Sequence, residues 1–290
     1  MKYFSILFLF ILASCSTIDT NVFKTYNENV SSSVSSLEKN MQKISGLGEE
    51  LFAIEASLNR QDMIDLQYTR ASAYDVILLK EPFFFAVVNA SQSIQRFNTF
   101  LISYSNTLLS IASNDFSSAE AIITFNNSLK GISNELDINN DVVDYSISSS
   151  AVLIKNIADR LSHRARISYL QNISSSSNEI ILQMLDRYIE LIDNLEVVMF
   201  DYYYRTFNAL ENVMFEEENF YERRELSREL VNLSEEYRRN VSGISSMRNK
   251  FVSLKETQAQ LHDMIMNKDF DEETVTDFII QNYEFYEELE

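Results

Sequence analysis

Apolar residues recur along this chain with the period of helices rather than strands. The longest register lies near the C-terminus, where Leu226, Leu233, Asn240, Met247, Leu254 and Leu261 stand seven apart. Leu230, Tyr237, Ile244, Phe251, Gln258 and Ile265 form the companion set. A seam repeating every 3.5 residues buries one side of a helix against a partner, and its 40 residues would extend about 60 Å. Two of its members, Asn240 and Gln258, are polar. Such residues cost stability but fix register when they pair across helices; the alternative is that they face a solvated part of the seam. Near the N-terminus Val30, Leu37, Ile44, Leu51 and Leu58 repeat the spacing, with Val34 and Met41 between them. Gly46 and Gly48 interrupt the second row there and predict a kink or break.

Between these registers the punctuation is sparse. Pro82 lacks the N–H that a helix interior needs and reads as the first turn of a helix running to about Ser113. Arg96 is the only charge in that stretch, and apolar residues occupy more than one face, so the helix must be buried. Asn114–Phe116 reads as a turn, and Ser117 with Glu120 as a capping box opening a helix to about Leu136. Asp137–Asp141 is a polar break before a helix ending near Leu170. Asn172–Ser175 then predicts a turn and Ser176 with Glu179 a further cap, followed by Ile181, Leu185, Tyr188, Ile192, Leu195, Met199 and Tyr202 in heptad spacing. Asp269 with Glu272 caps a short final helix.

Composition sharpens this picture. Four glycines and one proline in 290 residues compare with roughly 20 and 15 at average usage. Sheets reverse direction every ten or so residues and need those residue types, so the expectation is all-α: an elongated antiparallel helical bundle with long, coiled-coil-like helices. A hydrophobic share of 46% is enough for a core despite a formal charge of -19. That charge disfavours nucleic acid, whose binding is driven by clustered cations. The segment from Asp269 to Glu290 carries nine carboxylates and no Lys or Arg; it reads as a solvated face or as a docking surface for a basic or divalent-cation partner.

The first fifteen residues follow another logic. Met1 and Lys2 precede an apolar run, Tyr3–Leu12, about half of the 20 residues that span a bilayer. Leu12, Ala13, Ser14 and Cys15 follow at once. This order resembles the lipobox of bacterial lipoprotein precursors. The resemblance implies diacylglyceryl transfer to the Cys15 thiol, cleavage after Ser14 and anchoring in the cell envelope through the lipid. Because Ser16 rather than Asp follows the cysteine, it also implies the outer membrane if the source has two. Thiolate nucleophilicity and small preceding residues suit that chemistry, and a single cysteine excludes an internal disulfide. The expected organisation is a signal peptide over 1–14, a lipidated tether over 15–28 and a helical domain over 29–290.

Chemistry elsewhere is thin. No Gly-rich phosphate loop is present, and His163 and His262 lie in no metal-binding spacing. Pairs such as Asp186 and Glu190 are what 43 carboxylates produce by chance. No catalytic residue, metal or cofactor is expected. Arg160, His163 and Arg164 share a helix face that could receive an anionic group; the alternative is a solvated face balancing the bundle's own acids. Tyr202–Tyr204 beside Phe200 and Phe207 reads as core and rim packing; the alternative is a carbohydrate platform. The expected function is that of a lipid-anchored envelope protein presenting helical surface to an unidentified envelope protein, as monomer or oligomer. The alternative is a membrane-active, pore-forming-like protein or toxin component using residues 82–113.

Overall fold

A computed structural model of the chain describes residues 18–58, 82–115, 120–133 and 161–287. Every element among them is a helix: α1 (Thr20–Leu58), α2 (Pro82–Ser113), α3 (Glu120–Ser133), α4 (His163–Glu216), α5 (Phe220–Asn267) and α6 (Glu272–Glu287). The all-α expectation holds, and α2 has the bounds that Pro82 predicted. The chain divides into two compact units. One comprises Met1–Ser31, Arg96–Leu185 and Ser253–Glu290, the other Ser32–Gln95 and Asp186–Val252.

In the first unit the core is aromatic. Phe100 lies on Phe125 at 5.6 Å between ring centroids, and Tyr104 meets Phe125 at 6.1 Å and the edge of Tyr26 at 6.2 Å. Phe23 packs 5.9 Å from Phe270, which sits just ahead of α6. Tyr26, Phe100, Tyr104 and Phe125 are all fully buried, and edge or offset contacts between such rings add to what area burial contributes. In the second unit Tyr188 and Phe251 form the closest aromatic pair, at 4.8 Å. The Tyr188 hydroxyl donates to the Ile94 carbonyl of α2 at 3.3 Å, and the same unit buries Leu37 of α1, Ile192 and Leu195 of α4, and Ile244 and Met247 of α5.

Helices α4 and α5 run antiparallel in both units. In the first, Gln171 bonds the carbonyl of Ile265, Ser174 meets His262, and Asn178 meets Gln258. Steps of three and four up α4 answer steps of three and four down α5, the spacing of residues on one face of each helix. In the second, Arg248 pairs with Asp193 and Asn240 with Tyr203. All twelve seam positions of α5 are buried or half-buried.

Four local expectations are corrected. Residues 20–28, expected as tether, are the first turns of α1, because Val22, Phe23 and Tyr26 have a core to enter and Asp19 caps the helix by accepting from the Asn21 N–H at 2.8 Å. The glycines at 46 and 48 do not end α1, which continues to Leu58. The serine-rich stretch 172–177 is no turn but the interior of α4, whose cap is Ser162, accepting from the Ala165 N–H at 3.3 Å. Ser174 and Ser177 are wholly buried there, so packing overrides their weak helix preference. Finally, Asp271 rather than Asp269 caps α6, accepting from the Thr274 N–H at 2.9 Å. The break at 137–141, the helix expected after it as far as residue 160 and the apolar stretch 63–79 lie outside the described residues; the last part of that expected helix, 163–170, is instead the start of α4.

Both helix C-termini that end in a left-handed residue do so without glycine. Asn114 (φ 55°) follows α2 and Lys268 (φ 60°) follows α5. In each case the next N–H reaches back five residues, Asp115 to Ser110 at 3.1 Å and Asp269 to Met264 at 2.9 Å, the Schellman arrangement. Arg166 completes the first of these ends by donating to the Ala112 carbonyl at 2.6 Å.

Candidate interaction surface

Two features stand apart from ordinary packing: a buried polar network in the first unit and an exposed aromatic groove in the second. The network centres on Gln258 of the α5 seam, fully buried. Its carbonyl accepts from the Tyr26 hydroxyl at 2.5 Å, and its amide donates to Asn178 at 2.8 Å and Tyr104 at 3.4 Å. Four helices thus meet at one side chain, which supports the register-fixing reading of this residue. Asn240 behaves likewise, donating to the Tyr203 hydroxyl at 3.0 Å. Burial pushes the Tyr104 hydroxyl from its usual 10 up to about 12, with hydrogen bonds to Gln258 and Ser174 offsetting part of the rise. Burial also raises the Tyr188 hydroxyl well above its usual value, and the Glu38 carboxylate adds to the rise.

The groove lies between α4 and α5. Phe200, Tyr203, Tyr204 and Phe207 line it from α4, and Leu233, Ser234 and Tyr237 from α5. Its accessible hollow is about 140 Å³, well below the 300–1,000 Å³ of small-molecule pockets, so it suits side chains rather than a compound. Tyr203 forms its floor, with Tyr237 edge-on at 5.0 Å, while Phe200 stacks on Tyr204 at 6.0 Å in the open. The expectation of core and rim packing accounts for Tyr203 but not for Phe200 and Tyr204, which are 55% and 59% exposed. The heptad repeat points to Tyr202 as the seam residue, and its side chain lies outside the described ones; Tyr203, one residue on, is buried.

The residues singled out from sequence fare differently. Cys15 and Arg160 lie outside the described residues. Arg164 is exposed, and His163 is half-buried at the start of α4 with its Nε2 buried and without a partner. The adjoining Arg166 is spent on the end of α2. His262 meets Ser174 at 2.9 Å, and Glu190 pairs with Arg187 at 3.1 Å. Among the described residues no three His, Cys, Asp or Glu side chains converge as a metal site. Asp269, Asp271, Glu272, Glu273 and Asp277 are exposed, as the solvated-face reading expects; the Thr274 N–H holds Asp271 low, while its hydrogen bond with Asp271 raises Asp269. No family model, curated protein or solved structure matches this chain.

Proposed function

We propose that this is a lipid-anchored bacterial envelope protein whose helical body is an interaction module and not an enzyme. The order of Met1–Lys2, a ten-residue apolar run and Leu12-Ala13-Ser14-Cys15 carries the reading. Two acyl chains on one sulfur hold a protein stably on a bilayer, whereas one would be marginal. That no helix among the described residues is long and apolar enough to cross a membrane fits an anchor supplied by lipid. The exposed groove supports the interaction role. The membrane-active alternative draws less support, because Asn98, Ser103 and Thr107 of α2 are buried in the helical core and would be costly in hydrocarbon.

Metabolic labelling with a fatty acid in the native bacterium tests the anchor. The wild-type chain should take up label and fractionate with membranes, its mature form starting at Cys15. Cys15→Ala should lose the label, stay unprocessed and leave the membrane fraction. A labelled Cys15→Ala chain, or a mature first residue other than Cys15, would remove the anchor from the account.

A further inference from the structure

We propose that the lipid on Cys15 holds one end of the first unit, the end where α1 begins, directly against the headgroups of the bilayer. The inference rests on the lipid-anchor reading and adds which surface of the body meets the membrane. The length of chain left over carries it. Ile18 is buried, Asp19 caps α1, and Val22, Phe23 and Tyr26 enter the core within the first two turns. A tether over 15–28 would have reached about 45 Å when fully extended. With α1 packed from its first turn, only the steps from Cys15 to Ile18 remain, a reach of no more than about 11 Å. That is about the width of one helix, too little to lift the body clear of the surface.

The same end gathers the close of α2, the start of α4 and the turn between α5 and α6. Phe23 packs on Phe270 of that turn at 5.9 Å, and Gln171 bonds the Met266 carbonyl at 3.0 Å. Arg166 donates to the Ala112 carbonyl at 2.6 Å and Asn114 accepts from the Leu161 N–H at 3.2 Å, which ties the start of α4 to the close of α2. Charge does not draw this face to lipid. Among the described residues its exposed charges are Asp115, Asp269, Asp271, Glu272 and Glu273 against Arg164 and Lys268. Anionic headgroups attract clustered cations and repel such an acidic excess. The short leash, rather than the chemistry of the face, therefore supplies the contact.

Cys15 is the single cysteine of the chain, and a thioether consumes its thiol, so a cysteine placed elsewhere takes a fluorophore alone. The test uses the mature lipidated protein, purified from membranes and reconstituted on phosphatidylcholine vesicles that carry a nitroxide quencher at the headgroup. Labels at Ser113→Cys and Asn267→Cys, both exposed and on the proposed face, should lose most of their fluorescence. A label at Gln183→Cys, exposed and about 30 Å along α4 from its start, should keep it. Inserting about 20 Gly and Ser residues between Thr17 and Ile18 lengthens the leash by about 25 Å on average and should restore the fluorescence at 113 and 267. Labels at 113 and 267 as bright as that at 183, equal quenching at all three, or quenching that survives the insertion would each overturn the proposal. A chain without its lipid would not associate with the vesicles at all, so failure of the anchor is distinguished from failure of this orientation.

Discussion

Gln258 occupies a seam position where a leucine would bury more apolar surface, yet its amide is the one group that Tyr26, Tyr104 and Asn178 share. Gln258→Leu would leave the buried Tyr26 hydroxyl without that partner, at about 1–3 kcal/mol, and the half-buried Asn178 carbonyl without it at less. Urea unfolding should therefore show a loss of about 2–4 kcal/mol. Asn240→Leu, at a half-buried position with one such bond, should stay within about 1 kcal/mol of wild type. Equal losses would mean that the network does no more than fill space. Tyr104 makes a second prediction. Its pKa in the folded chain, about 12, lies above the unfolded value of 10, so the folded state holds the proton more tightly. Its contribution is complete below pH 10 and is lost as pH rises toward 12, about 3 kcal/mol in all. Tyr104→Phe should remove part of that alkaline loss in pH-dependent melts. Lys268, left-handed at the end of α5, predicts the opposite sign: Lys268→Gly should raise stability by about 0.5–1 kcal/mol. The polar residues at 240 and 258 were readable as departures from a pattern. Their partners were not, because Tyr26 is 232 residues from Gln258 and nothing in the spacing joins them.

Helix boundaries follow the same division. Pro82 opens α2 because the constraint lies in its own ring. The turn expected around 172–177 is absent from α4 because a serine-rich stretch is compatible with a turn or with a tightly packed helix interior, and the neighbours decide between them. The row beyond Leu195 makes the point in finer detail. Met199 and Tyr203 follow at steps of four, then Thr206 at three and Leu210 at four. A strict seven-residue repeat drifts by about 20° per heptad on a straight helix, and an additional step of four restores the row. The expected Tyr202 follows the unbroken repeat. Two glycines distinguish propensity from packing: a Cβ at Gly131 meets nothing within 4 Å, whereas one at Gly243 would lie 3.2 Å from the Asn40 amide oxygen. Gly131→Ala should raise stability by about 0.5–1 kcal/mol, and Gly243→Ala should gain less because Asn40 must shift. Thermal melts of the two variants compare them directly, and a larger gain at 243 would contradict the packing argument.

At the scale of the molecule, charge governs behaviour. Exposed pairs such as Arg228–Glu225 and Arg187–Glu190 are worth at most about 1 kcal/mol each and weaken in salt. Repulsion within a chain of net charge -19 weakens too, and it is the larger effect. Raising salt from about 0.01 M to about 0.3 M should therefore lift the melting temperature by about 3 °C. A fall would mean that the pairs outweigh the repulsion. The groove belongs at this scale as well. Its Phe200, Tyr204 and Phe207 are at helical spacing in the sequence, but a row on one helix is indistinguishable from core until the neighbouring helices are in place.

What the amino-acid order determined alone is local or compositional. Scarcity of Gly and Pro forbids frequent reversal, heptad spacing dictates helices with buried rows, and Pro82 sets a boundary through its own geometry. What only tertiary structure decided is which of several equivalent rows finds a partner. Burial is a property of neighbours brought from far along the chain, so it kept 172–177 helical, drew residues 20–28 into the core and left the aromatic row of α4 open to water.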